Sequence, residues 1–210
     1  KIWKFPAERM SMEWVERIPN PPVEDIIKSS LGIETEGYTH QLNYYYPKNG
    51  GIQALIESLQ GEINDHIVTG FEVKSIHREE DKWIVSDGQD ERSYDRIVST
   101  IPIHALVDAL DAPSEIRRAV EVLRYNSLVT VMIGLARPRI NELTWLYIPD
   151  EGVLTHRVSF PSNYSPDVAP AGKSSVLAEI TCDFGDGIWR MDDEAIAGRV
   201  IDDLHRLKII

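Results

Sequence analysis

"WLYIPDEGVLTHRVSFPSNYSP", residues 145–166, decides how this chain folds. It reads as two short strands of one hairpin, although Tyr147, His156, Arg157 and Tyr164 stand where a core strand would carry valines. On its upstream side, "SLVTVMIGLA" (127–136) is a buried strand by its length and composition. On its downstream side, "SSVLAEITC" (174–182) is another strand, and "MDDEAIAGRVIDDLHRLKII" (191–210) is a final amphipathic helix. Neighbouring strands joined this closely run antiparallel. The fold class that follows is α+β, an antiparallel sheet with helices, rather than an alternating βαβ chain.

The first half supports the same class. "SMEWVERIPNPPVEDIIKSSLGI" (11–33) reads as two short helices broken at its prolines, and "EGYTHQLNYYYPKNGG" (36–51) is too rich in glycine and proline for a helix. "GGIQALIESLQGEI" (50–63) is a helix with Ile52, Leu55, Ile56 and Leu59 on one face. Its glycine turn leaves a helix N-terminus whose unpaired N–H groups could face a ligand. Three runs rich in β-branched and aromatic residues follow, "HIVTGFEVKSIHRE", "KWIVSD" and "RSYDRIVSTIP", separated by acidic runs that suit solvated turns. "IHALVDAL" and "PSEIRRAVEVL" are helices. There is no internal repeat, and no G-x-G-x-x-G turn to cradle a dinucleotide phosphate.

Composition narrows the function classes. A chain of 210 residues can bury about 70% of its unfolded surface, so it has a real core. Its net charge of −12 argues against a nucleic-acid partner, and any anionic ligand must be held by a few placed cations. The single cysteine, Cys182, allows no internal disulfide and fits a reducing, cytoplasmic compartment; without neighbouring His or Asn it reads as a small buried apolar residue. No Cys/His spacing suggests a metal. No apolar run approaches the roughly 20 residues of a membrane-spanning helix. Starting without methionine and stopping inside an apparent helix, the chain reads as a fragment.

Four stretches together resemble the FAD-dependent amine-oxidase and protoporphyrinogen-oxidase-like flavoproteins. They are "YYPKNGGIQALIESL", "FEVKSI" with "DGQDERSYDRIVSTIP", "KIWKFPAERMSMEWVERI", and the opening stretch. The last two resemble one branch in particular, the eukaryotic-type UDP-galactopyranose mutases. The resemblance implies FAD as cofactor and three segments: 1–45 as a helical part of the substrate region, 46–105 as a three-stranded piece of the FAD-binding domain, and 106–210 as the sheet-and-helix substrate domain. It also implies a missing N-terminal Rossmann motif, so that this fragment alone would bind FAD weakly and catalyse nothing.

Residue by residue, the resemblance brings Gly50 and Gly51 near the flavin, pairs the backbone of Val73 with the adenine edge, and runs Ser99 to Pro102, including Thr100, along the dinucleotide. It places Tyr147, Arg157 and Tyr164 on the pyrophosphate side of a nucleotide sugar, with Arg17 as a second cation. Chemistry agrees with that set, because a guanidinium fork matches phosphate oxygens and a tyrosine hydroxyl donates while its ring packs on base or sugar. The plain alternative pairs Arg157 with Asp150 or Glu151 and leaves the tyrosines capping the sheet. By strand alternation His156 faces away from Arg157 and is structural. Glu179 reads as a salt-bridge partner.

Two enzyme readings stay open. One is a UDP-galactopyranose-mutase-like isomerase, in which reduced flavin attacks the sugar's anomeric carbon through N5. The other is an amine-oxidase or protoporphyrinogen-oxidase-like oxidoreductase with a larger, more apolar pocket. A non-enzymatic interaction module is the third. The partner expected is a small molecule, in the first reading a UDP-sugar; catalytic residues and oligomeric state are unspecified.

Overall fold

A computed structural model describes residues 1–13, 21–33, 35 and 45–210. They divide into two compact units, Lys1–Leu59 with Asn126–Ile210, and Gln60–Tyr125. Both are built on antiparallel sheets flanked by helices, the α+β class expected.

The first unit holds helix α1 (Val23–Ser30), most of α2 (Gly51–Ile63), strands β4 (Ser127–Leu135), β5 (Trp145–Tyr147), β6 (Arg157–Ser159) and β7 (Ser174–Cys182), and helix α5 (Asp193–Arg206). Its four strands lie in the order β4-β7-β6-β5, so β5 and β6 form the hairpin that the opening stretch suggests. Strand alternation sorts the side chains into two faces. Val131, Ala178, Val158 and Leu146 stand in register across one face. On α5, Ile196, Val200 and Leu204 recur every fourth residue and are buried in one cluster with them. Val158, Val176, Ala178, Ile180, Val200 and Leu204 have no exposed surface. Each large aliphatic residue among them contributes about 1.5–3 kcal/mol by leaving water. Asp192 starts α5 by accepting the Ala195 N–H at 2.8 Å.

The second unit contains β1 (Ser75–Glu79), β2 (Lys82–Ser86) and β3 (Glu91–Tyr94) in sequential order, with α3 (Ile103–Ala109) and α4 (Ser114–Glu121). Ile76, Val85 and Ala109 form its small core, with Phe71, Trp83, Ile97, Leu106 and Leu110 against it. The acidic runs are hairpin turns. In the second of them, the Asp87 carboxylate accepts the Gln89 and Asp90 N–H groups at 2.8 Å each. Those bonds favour its ionised form and hold its pKa down.

Three expectations shift. Among the described residues β4 is an edge strand, not a buried one: it pairs only with β7, and Leu128 and Met132 on its second face are 52% and 60% exposed. The flanking runs of the small sheet are shorter than their composition suggests. β1 begins at Ser75 and β3 ends at Tyr94, because 67–73 and 95–102 have no ladder partner among the described residues. Val98 is 90% exposed. The apolar face of α2 forms as expected, yet Ile52, Leu55, Ile56 and Leu59 remain about half exposed. Of the two helices expected in 11–33, α1 is present; residues 14–20 lie outside the described set. Among the described residues no helix is long and apolar enough to cross a membrane.

Candidate functional site

The face of the four-stranded sheet opposite α5 carries the polar chemistry. Register places Thr130 on β4, Glu179 on β7, Arg157 on β6 and Tyr147 on β5 in one row across it. Arg157 and Glu179 form a two-pronged ion pair, Nε to Oε1 at 2.9 Å and Nη2 to Oε2 at 2.6 Å. Glu179 is buried, whereas the Arg157 side chain is 39% exposed. One edge of the guanidinium is therefore spent on fixing its direction, and the outer edge faces Tyr147 and solvent. The Glu179 carboxylate, then the Tyr147 hydroxyl, raise the Arg157 pKa against the opposing effect of burial, so the cation is permanent. The plain alternative of an ion pair to Asp150 or Glu151 is not what forms. Register sets Glu179 directly opposite Arg157, while the Asp150 carboxylate accepts the Gly152 N–H of its own turn.

His156 departs from the expected orientation. It precedes β6 in a bend, so strict strand alternation does not govern it, and its ring reaches the face that bears Arg157. Nδ1 lies 3.2 Å from Thr181 Oγ1, and Nε2 lies 4.0 Å from Glu179 Oε2. Its backbone N–H donates to the Glu179 carbonyl at 2.9 Å, which fixes the root of the ring. Burial pushes its pKa below the ordinary value; Glu179 opposes this, and Arg157 and Lys1 add to it. Lys1 holds the intervening loop by donating to the carbonyls of Ile148, Asp150 and Thr155. Cys182 is fully buried, as its sequence context suggests, and burial raises its pKa.

The other candidates stand elsewhere. Tyr164 follows the 3-10 turn Pro161–Asn163, its ring centroid 5.2 Å from that of Tyr46. This loop grips the glycine turn: Ser165 Oγ donates to the Lys48 carbonyl at 2.6 Å, and the Asp167 carboxylate accepts the Gly50 N–H at 2.8 Å. The Tyr46 hydroxyl accepts the Ile52 N–H at 3.2 Å. The start of α2 is thus not the row of unpaired donors expected, because protein groups already occupy two of them. Gly51 has φ +62°, and a Cβ there would sit 2.7 Å from Val168 Cγ1, so glycine is required by conformation and by packing.

Val73 (38% exposed), Thr100 and Pro102 belong to the second unit. Val73 lies just beyond the last ladder bond, Lys74 N–H to the Ser86 carbonyl, and Pro102 precedes the first turn of α3. Arg17 lies outside the described residues. Among the described residues no cluster of His, Cys, Asp or Glu is arranged to hold a metal ion.

Residues 73 and 98–102 are exposed, which suits a cofactor read by backbone, and the occupied start of α2 does not suit a phosphate cradle. Sequence reasoning gave Glu179 its correct partner type but missed that it steers Arg157, and it placed His156 on the wrong face.

Comparison with known proteins agrees with the fold. The sequence profile of the flavin-containing amine oxidoreductases matches residues 23–209. A crystal structure of reduced UDP-galactopyranose mutase superposes with a TM-score of 0.81 at 22% identity, over 98% of this chain and 46% of that one. A protein described as a protoporphyrinogen oxidase, from Exiguobacterium, gives 0.60 at 19% identity, over 75% of this chain and 35% of that one. Putrescine oxidase bound to putrescine gives 0.54 at 14%, over the same shares. The chain spans less than half the length of these structures, and at such identities they share its fold.

Proposed function

Because the chain belongs to the flavin-containing amine oxidoreductase family, we propose that it is the substrate-binding part of an FAD enzyme whose substrate lies on the open face of the four-stranded sheet. The observation that carries this is the Arg157–Glu179 fork with Tyr147 beside it. A cation aimed by a buried carboxylate, with one edge left over, suits a phosphate oxygen better than an amine substrate, which it would repel.

The substrate favoured is a nucleotide sugar, and the reaction a mutase-like exchange of sugar ring size. When bound, reduced flavin would supply the bond exchange at the anomeric carbon. The chain's share is to bind and orient. Arg157 would donate from its outer edge to the diphosphate, and the Tyr147 hydroxyl would donate beside it. Glu179 cancels one positive charge, so a dianionic diphosphate needs a further cation, for which Arg17 is the candidate. The backbone of Val73, Thr100 and Pro102 would contact FAD. Gly50 and Gly51 would shape the turn held by Ser165 and Asp167, and Tyr164, whose ring packs on that of Tyr46, would contact the ligand.

One observation favours the oxidoreductase alternative. Leu128 and Met132 make the β4 half of the same face apolar and exposed, which suits a hydrophobic substrate. Dithionite-reduced full-length protein incubated with UDP-galactopyranose, followed by chromatographic separation of the two ring forms, tests the choice. The mutase reading expects a furanose product, lost in Arg157→Ala. No product, together with oxygen consumption on amines, supports the alternative.

A further inference from the structure

We propose that His156 is a positioning residue for Arg157: when its ring gains a proton it competes for Glu179 and releases the guanidinium edge toward an anionic ligand. This rests on the reading that the open sheet face binds an anion.

Thr181, His156, Glu179, Arg157 and Tyr147 form one continuous line on that face. Glu179 stands between two bases, and its two oxygens are not equivalent. Among the described residues Oε1 serves only Arg157 Nε, while Oε2 serves Arg157 Nη2 at 2.6 Å and faces His156 Nε2 at 4.0 Å. With His156 neutral, the tautomer that fits carries its hydrogen on Nε2, toward the carboxylate, and accepts from the Thr181 hydroxyl at Nδ1. At 4.0 Å that contact is electrostatic, so Arg157 keeps both prongs.

Adding a proton changes the balance. Imidazolium and carboxylate attract, and closing to a charge-assisted bond of about 2.8 Å needs a movement of about 1 Å. The main chain beneath the ring is held in place, because the His156 backbone N–H donates to the Glu179 carbonyl. Oε2 is then shared, Nη2 loses its exclusive acceptor, and the net charge of the trio rises by one. Both effects favour an anion at Arg157. The charged groups that face the ring are Glu179 on β7, Arg157 on β6 and the Lys1 side chain; Glu179 favours its protonation and the others oppose it. Burial adds to the opposition, which puts the transition on the acid side of the ordinary histidine value.

Two measurements on the full-length protein test this. In the first, without ligand, histidine- and arginine-labelled protein is titrated by NMR. The Arg157 Nε–H signal should move with the His156 midpoint and stay still in His156→Gln, and Glu179→Gln should lower the midpoint. An Arg157 signal indifferent to the His156 transition, or a midpoint unmoved by Glu179→Gln, overturns the proposal.

In the second, UDP-glucose is the probe, because its diphosphate lacks the terminal ionisation near pH 6 that would confuse a titration. Wild type should bind about fivefold more tightly at pH 5 than at pH 7.5, the low end of ordinary coupling between sites. His156→Gln should bind equally at both. The same pH slope in both proteins overturns the proposal. Absence of UDP-glucose binding at either pH, with the NMR coupling intact, removes the nucleotide-sugar reading and supports the His156–Arg157 coupling.

Discussion

Replacing Gly51 with alanine distinguishes a packing glycine from one that touches cofactor. A Cβ at this position meets Val168 Cγ1 at 2.7 Å, and the backbone has φ +62°. The left-handed conformation costs an alanine about 1–2 kcal/mol, and an overpacked methyl costs about 1–3 kcal/mol more. Gly51→Ala should therefore destabilise the protein by about 2–5 kcal/mol, read from the midpoint of urea unfolding. A second change, Val168→Ala, removes the clash and leaves the backbone strain. In a double-mutant cycle the pair should then show a favourable coupling of about 1–3 kcal/mol, with about 1–2 kcal/mol of the loss remaining. Flavin content, measured by absorbance, should recover along with stability. A single variant as stable as wild type, or a cycle with no coupling, would refute the packing argument. Recovered stability without recovered flavin would show that the glycine itself meets the cofactor.

Leu204→Ala, at a fully buried position of α5, should cost about 2–5 kcal/mol by urea unfolding, since the sheet on the other side cannot close the cavity. The Asp186 carboxylate accepts the N–H groups of Trp189, Asp183 and Ile188, which hold its pKa below the ordinary 3.8. Its stabilisation is therefore complete above that value and lost as pH falls through the lower, folded one. Asp186→Asn should cost about 1 kcal/mol at pH 7, with the gap to wild type shrinking below pH 4. His156 has a folded pKa below 6.5, so the unfolded chain takes up its proton first. Stability from this group is full above about pH 6.5 and falls as pH drops from there toward the folded pKa, and His156→Gln should flatten that part of a thermal-melt profile against pH.

Local signals made the fold legible. Composition, turn residues and helical spacing are properties of neighbours in the chain, and they yield the β5–β6 hairpin, β7 and α5. The β4 strand shows the limit: "SLVTVMIGLA" is apolar enough for a buried position, and only the strand order shows that it is an edge with Leu128 and Met132 exposed.

In the site, the family resemblance, with residue chemistry that agrees with it, implies Arg157, Tyr147 and Tyr164 as an anion grip. The partner that aims Arg157 could not be read, because register joins it to Glu179 across 22 positions. Asp167 reaches the start of α2 across 117 positions, and no spacing rule anticipates a carboxylate there. His156 was misplaced because alternation holds only within a strand, and the bend before β6 turns its ring toward Glu179.

The claim that Arg157 on the open sheet face grips a nucleotide diphosphate is tested most directly by titrating the dithionite-reduced full-length protein with UDP. Saturable binding, at least tenfold weaker in Arg157→Ala while that variant keeps its fold and flavin, is the predicted result, a loss of about 1.4 kcal/mol. No binding, or binding that Arg157→Ala leaves unchanged, would contradict it.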